Sequence, residues 1–408
     1  MSNRDNSNFL PHWFKYIHKP KNLDINKKTV FKKGYKSYIK KSTNHSKIRV
    51  AFFLDGVFYP TTTGESYHIM NLLKALTKNK IDAYLFRCYR GWEKIHIYKT
   101  FPFSSVCINP DVYYNNLQKI SEIVNIYEIN VIVFDTAEVV LRQGKYLKDK
   151  CKVKIVYDVT NVDPLISEKV GLGQSTISLQ TRELLEADKH IDIYWVKTRE
   201  DKRQLSKLGT NPRKIRIRGV GINIPSRSKI KKKQLKQPVK SVFLGNMFYP
   251  PNIGGLTTLT DTLTKCTKRG IRLKIDVIGD GDIVSLSAKY PLLNFLGRCD
   301  YVNSTLSKYD IAFACPSFGS GISLKVLDYM AAGLPIIANN TGVRGHLRSI
   351  NKCLLQEEND SLYKCVEQLV TNKDLFKRLS VKEFNYLKKY YDIKNKIPGF
   401  IMDLKKLV

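Results

Sequence analysis

Residues 309–340, YDIAFACPSFGSGISLKVLDYMAAGLPIIANN, decide how this chain is read. The apolar run Ile311–Cys315 has the length of a buried strand, and Pro316 ends it. FGSG (318–321) turns the chain, a helix is expected from about Ser323 to Ala332, and LPIIANN is the next buried strand. Strand, helix, strand in that order means a parallel sheet with helices on both faces. Orphan N–H groups where the helix begins, with Ser320 and Ser323 beside them and Lys325 in the first turn, make a ready anion site. Asp328 lies one to two turns into the helix, where its carboxylate can accept two sugar hydroxyls.

The alternation continues in both directions. Upstream are VKSVFLGN (239–246), a helix from about Ile253 to Thr267, LKIDVIGDG (273–281) and LNFLG (293–297); helices follow to the end of the chain. A separate series occupies the first half. KIRVAFFLDG (47–56) is a strand, and Ile69, Leu72, Leu73 and Leu76 mark the helix after it. IDAYLFRCY, NVIVFDT, VKIVYDVT and IDIYWVKTRE are further strands separated by segments of helical length. Between the two series lies GVGINIPSRSKIKKKQLKQP (219–238), with two prolines, a charge run and no periodicity. The expected organisation is a basic aromatic extension (1–47), a first Rossmann-like domain (48–224), a linker (225–240), a second Rossmann-like domain (241–395) and a tail (396–408) that returns to brace the first. Ligands of open α/β sheets sit beyond the strand carboxyl ends, so the cleft between two such domains is the expected site.

Three glycine-bearing strand-to-helix turns argue for a phosphate-bearing substrate: PTTTGESYH with Gly64, GNMFYPPNIGG with Gly245 and Asn246, and FGSG with Gly321. None is the G-x-G-x-x-G dinucleotide fingerprint. Asp280-Gly281-Asp282 has the look of a metal-binding pair but ends a strand in a turn, so no metal is expected. The seven histidines have no metal-ligand spacing, and no G-x-S-x-G elbow is present.

At 408 residues the chain is long enough for two domains, and 43% hydrophobic residues can fill their cores. The eight cysteines are scattered without a CxxC pair, which suits a reducing cytoplasm and excludes structural zinc. No apolar run reaches 18 residues and no apolar leader opens the chain, so neither a membrane span nor a signal peptide is expected. The formal charge is +33, from 69 basic and 36 acidic residues. Such a charge attracts any polyanion and does not choose among nucleic acid, membrane and phosphorylated metabolite. Residues 1–47 carry 12 Lys/Arg against two Asp, with Leu10, Trp13, Phe14 and Ile17 at helical spacing among lysines. Rings beside ammonium groups suit an anionic membrane surface, and packing onto the chain's own domain is the rival reading.

The motifs resemble those of the retaining family 4 glycosyltransferases (glycosyl transferases group 1), which have two facing Rossmann-like domains, the GT-B fold. The resemblance runs from about residue 48 to the C-terminus. VFLGNMFYPPNIGGL is similar to the family's FxGxMxxxPNxxGL opening of the nucleotide domain, and the 315–345 segment to its GxGIxxKxxE(A/Y)MAxGxPxIA donor signature. The first half matches more weakly, through PTTTGESYH, VYDVTN and NPRKIRIRGVGIN. The resemblance implies a nucleoside diphosphate sugar donor, no cofactor and no metal, and a glycan, lipid-linked or protein acceptor. It places Gly64, Gly245, Asn246, Arg298, Gly321, Ile322 and Asp328 on the donor and nucleotide, and Lys325, Ser320 and Asp158 at the reacting centre. Asp328 stands where the family has the second glutamate of its E-x7-E motif, and Ser320 where it has the first. Asn246 and a glycine turn stand where many members place an Arg and a Lys on the diphosphate; Arg298 and Lys325 are the candidate replacements. The competing readings are a non-catalytic partner that keeps the fold, a nucleotide-sugar epimerase and, from charge alone, a nucleic-acid binder. A cytoplasmic enzyme, peripheral on the membrane and without nucleic acid, is the expectation.

Overall fold

The computed structural model describes residues 31, 33–40, 47–54, 64–89, 95–224, 235, 237–299, 302–319 and 321–408. Ser320, the aromatic cluster at 9–17 and most of the linker lie outside them. The chain divides into two compact units, one holding Ile224–Tyr390 and the other holding Leu172–Asn223 with most of the chain before it and Tyr391–Val408 after.

The first unit is built on eight strands: β1 (Tyr35–Tyr38), β2 (Arg49–Leu54), β3 (Asp82–Cys88), β4 (Ser104–Ile108), β5 (Val131–Phe134), β6 (Lys154–Asp158), β7 (Ile193–Val196) and β8 (Ile215–Ile217). Their order in the sheet is β1-β4-β3-β2-β5-β6-β7-β8. All neighbours run parallel except β1, which pairs antiparallel with β4. Successive residues of a strand point to opposite faces. Accordingly Val50, Phe52 and Leu54 join one buried cluster while Ala51 and Phe53 join another. Both faces are covered, as a parallel sheet requires.

Two departures from the sequence reading concern the chain ends. Residues 35–38, read as part of a basic extension, are an edge strand of the sheet; Tyr35, Ser37 and Tyr38 are partly buried and only Lys36 is exposed. Chain alternation there is weak because an edge strand needs no buried run. At the other end the last helix begins at Ile393, three residues before the expected tail, and packs on the first sheet through Ile393, Ile397, Phe400 and Leu404. Asp403, fully buried on that helix, accepts hydrogen bonds from Trp195 Nε1 at 2.9 Å and Arg218 Nε at 2.6 Å.

The second unit has β9 (Val239–Leu244), β10 (Leu273–Ile278), β11 (Asn294–Gly297), β12 (Ile311–Ala314), β13 (Ile336–Ala338) and β14 (Leu355–Gln356), all parallel, in the order β11-β10-β9-β12-β13-β14. Strand order reverses between β9 and β12, and crevices at such switch points are where open α/β sheets hold ligands. The helix after β9 runs Pro250–Lys268, starting earlier than the periodicity indicates because Pro250 and Pro251 fit its first two positions. The helix after β12 runs Lys325–Ala332, starting two residues later than expected. Among the described residues no helix is long and apolar enough to cross a membrane.

Candidate functional site

The turns that leave β9 and β12 meet at the switch point of the second sheet. Gly245 ends the first strand, and a Cβ there would stand 2.7 Å from Asn252 Nδ2. The missing side chain lets the Asn252 amide reach Asn246 O at 2.9 Å. Asn246 itself turns inward on its own loop, its Oδ1 accepting from Phe248 N at 2.8 Å. Lys325, from the β12 side, donates to Asn252 Oδ1 at 2.9 Å and lies 4.1 Å above the Phe243 ring. Asn252 therefore joins both turns, with one end of its amide on each.

Lys325 is thus enclosed by a neutral amide and an aromatic face rather than a carboxylate. Burial, with Arg344 adding like-charge repulsion, pulls its ammonium down to about 7. Asp328, one turn further along the same helix, is partly buried, and burial pushes its carboxyl up to about 7. The two stand at i, i+3 but form no ion pair, and no hydrogen bond reaches Asp328 among the described residues.

A third loop, after β13, closes over this turn. Ser323 N–H, expected to be free for an anion, donates to Arg344 O at 3.2 Å, which is why the helix begins only at Lys325. His346 Nε2 lies 3.0 Å from Ser323 O, and burial lowers its pKa to about 4. Gly345, in the left-handed region at φ 77°, packs where a Cβ would be 2.6 Å from Gly321 O. Gly321 shares that region at φ 61°. The Ser323 hydroxyl is 2% exposed and its oxygen has no hydrogen-bond partner.

Gly245, Asn246, Gly321, Ile322, Lys325 and Asp328 therefore all belong to the turns and helix start around one switch point. Arg298 follows β11, two strands from β9; it is exposed and 3.9 Å from Asp280 Oδ2. Asp282 caps the helix Ile283–Lys289, accepting from Ser285 N at 3.3 Å and Ser285 Oγ at 2.6 Å. No group of three His, Cys, Asp or Glu suited to a metal occurs among the described residues. A cavity of 460 Å³ borders β14, lined by Asn340, Asn351, Gln356, Glu357, Glu358 and Gln368 among others. Its lining holds two carboxylates and no cation, the wrong chemistry for a phosphate.

Gly64 and Asp158 lie in the first unit. Gly64 is the first residue of the helix Gly64–Lys78. Asp158 ends β6 and is 2% exposed. It forms a short ion pair with Lys197 Nζ, which also approaches His68 Nε2 at 3.1 Å; His68 Nε2 is 3.5 Å from Asp158 Oδ2. Burial pushes the Asp158 carboxyl up, but Lys197 and His68 together overcome it and hold it at about 2. Burial and the Lys197 charge lower the His68 pKa, against the raising effect of Asp158.

The residues not singled out from sequence are Asn252, Arg344 and His346 in the second unit, and Lys197 and the pairing of His68 in the first. Asn252 belongs to the PNxxGL stretch and Arg344 to TGVRG, but neither stretch has spacing that ties it to Lys325.

Two α/β units with their glycine turns at strand carboxyl ends define a Rossmann-type fold, and comparison with known proteins agrees. Residues 238–372 match the family model described as glycosyl transferases group 1, which spans the second unit's sheet. No curated protein matches the sequence significantly. Among solved structures, HepE of Anabaena in complex with UDP and glucose is similar at a TM-score of 0.68 and 13% identity, over 88% of this chain and 100% of that one. Sucrose-phosphate synthase of Thermosynechococcus elongatus is similar at 0.69 and 12% identity, over 88% and 99%. A glycosyltransferase from Rickettsia africae gives 0.65 and 13%, over 89% and 99%. The chain therefore has the fold these proteins share, a GT-B-like pair of Rossmann-type units.

Proposed function

We propose that the protein is a glycosyltransferase that takes a sugar from a nucleoside diphosphate sugar, with retention, and delivers it to a glycan, lipid-linked or protein acceptor. One observation carries this reading: at the second sheet's switch point, Lys325 is enclosed without an acidic partner beside glycine turns, with Asp328 on the next turn of its helix. A nucleoside diphosphate is a good leaving group when its developing charge is stabilised and water is excluded. Lys325 serves the first need; Asp328 holds the ribose hydroxyls; Gly64, Gly245, Asn246, Arg298, Gly321 and Ile322 are assigned to the donor and nucleotide, with Ser320 at the reacting centre. Asp158 is assigned to the reacting centre, contributing from within its buried ion pair at the end of β6. The ligands of the Anabaena neighbour, UDP and glucose, are of the class this chemistry suits. Of the basic stretch 1–47, Tyr35–Tyr38 belongs to the first sheet, so the proposed contact with an anionic membrane surface falls to the residues before it, and loss of anionic-vesicle pelleting on deletion of residues 1–30 is the expected result.

Incubation with a panel of nucleoside diphosphate sugars, following diphosphate release with glycan and lipid-linked acceptors, tests the activity. Asp328→Ala should weaken nucleoside diphosphate binding about 10- to 100-fold, since a hydrogen bond to a charged group contributes about 1.5–3 kcal/mol. Equal affinities in calorimetric titration would remove Asp328 from the site.

A further inference from the structure

We infer that Arg344 is the second cation for the donor's diphosphate, acting with Lys325 and setting a preference for nucleoside diphosphates over monophosphates. The inference rests on the donor-site reading above. A diphosphate brings several negative charges, and the turns around the switch point differ sharply in what they can offer. The turn after β9, Gly245–Gly255, contains no Lys or Arg, and its asparagines are engaged with one another and with Phe248 N. The turn after β10 is acidic, with Asp280 and Asp282. Arg298, after β11, is exposed and near Asp280. The β13 loop brings Arg344 against Gly319 of the β12 turn, where Lys169 Nζ also donates, to Gly319 O at 2.9 Å.

The fold seats that cation with care. A Cβ on Gly319 would lie 2.5 Å from Arg344 Cζ and Nε, so the guanidinium rests on bare backbone of the β12 turn. Its own carbonyl holds Ser323 N–H, and Nη1 donates to Thr341 O at 3.1 Å, which orients the planar fork. Its charge is felt by Lys325 and by Tyr249, in the β9 turn. The guanidinium thus stands between Gly319 of the β12 turn and Thr341 O of its own β13 loop, and its backbone carbonyl holds Ser323, whose hydroxyl has no hydrogen-bond partner. Two like charges near each other in low dielectric repel, and an anion between them relieves that repulsion. A guanidinium also keeps its charge at any working pH and offers a fork matched to phosphate oxygens.

The test is calorimetric titration of the full chain with UDP, GDP and ADP, each beside its monophosphate. The expected wild-type result is a diphosphate preference of at least about tenfold for one base. Arg344→Gln should cut the diphosphate affinity about 10- to 100-fold while changing the monophosphate affinity much less, and Arg344→Lys should restore part of the preference. If no diphosphate binds the wild type, the donor reading itself falls. If the wild type prefers the diphosphate and Arg344→Gln keeps that preference, only the role of Arg344 is overturned. A measurement without variants guards against misfolding: phenylglyoxal labelling mapped by mass spectrometry should show Arg344 protected by the bound diphosphate, and unchanged labelling overturns the inference.

Discussion

Two groups of buried charge sit at strand ends, one in each unit, and they are resolved in opposite ways. In the first unit Asp158, Lys197 and His68 are enclosed together, and the carboxylate is held at about 2 by its neighbours. In the second, Lys325 and Asp328 lie on one helix without pairing, and each is drawn to about 7. Enclosure is common to both; the difference is whether the opposite charge is supplied by the protein. A group balanced internally holds the fold together. A group left unbalanced stores a demand that an outside charge or hydroxyl can meet, and perturbed groups of that kind mark functional sites.

The largest test of this contrast is Lys197→Met. It leaves the Asp158 carboxylate enclosed without its cation, and breaking a buried pair on one side costs about 3–5 kcal/mol. The double variant Lys197→Met/Asp158→Leu should recover most of that loss, because an apolar replacement of both partners is close to neutral. Denaturant midpoints of the three proteins check it. A double variant no better than the single one would show that the trio does more than balance charge.

Asp328 offers the opposite sign. Its folded pKa of about 7 lies above the ordinary carboxylate value of 3.8, so between those values the folded state binds more protons than the unfolded. Stability is therefore lost as pH rises from about 4 to about 7, and stays lost above it. Asp328→Asn removes that loss. It should match the wild type at pH 4 and exceed it at pH 8 by about 1–2 kcal/mol, after discounting for the carboxyl's remaining solvent contact. Thermal unfolding at the two pH values checks this. A variant that gains stability while weakening nucleotide binding would identify a group kept for its ligand; equal melting at both pH values would show that Asp328 is better solvated than its surroundings indicate.

The sequence carries the sheet but not all the contacts of the candidate site, for a physical reason. Buried parallel strands such as Val50–Leu54 and Ile311–Ala314 are continuous apolar runs, and the helices between them follow one periodicity, so local pattern suffices. Glycine turns are legible for the same reason. An edge strand like Tyr35–Tyr38 has no buried run to betray it, and lysines make it read as an exposed arm. The last helix is legible as a helix, but with Pro398 and four lysines in it the start at Ile393, three residues before the expected tail, is not. The neighbours of the candidate site not singled out from sequence belong to long-range geometry. His68 meets Lys197 across 129 positions, and Arg344 reaches Gly319 only because the β13 loop folds back over the β12 turn. Nothing in their immediate sequence encodes the partner.

The smallest effect belongs to Asp282, which serves as the solvated control for both buried groups. Its carboxylate is exposed, and hydrogen bonds from Ser285 hold it somewhat below the usual range. It fills the cap of Ile283–Lys289, a helix of two turns on the periphery of the second sheet. Removing an N-cap side chain frees one backbone donor to water, and an exposed short helix has little tertiary packing to lose with it. Asp282→Ala should therefore cost only the low end of what removing such a cap costs, read as a small shift in thermal unfolding. Nucleotide affinity and sugar transfer should be unchanged, and EDTA should affect the wild type and the variant equally little, because the carboxylate is engaged with Ser285 and Asp280 lies near Arg298. The measurement is turnover with and without EDTA in both proteins. A loss on chelation that magnesium or manganese restores, and that Asp282→Ala reproduces, would move this pair from the capping role into the reaction and extend the contrast to a third, metal-balanced group.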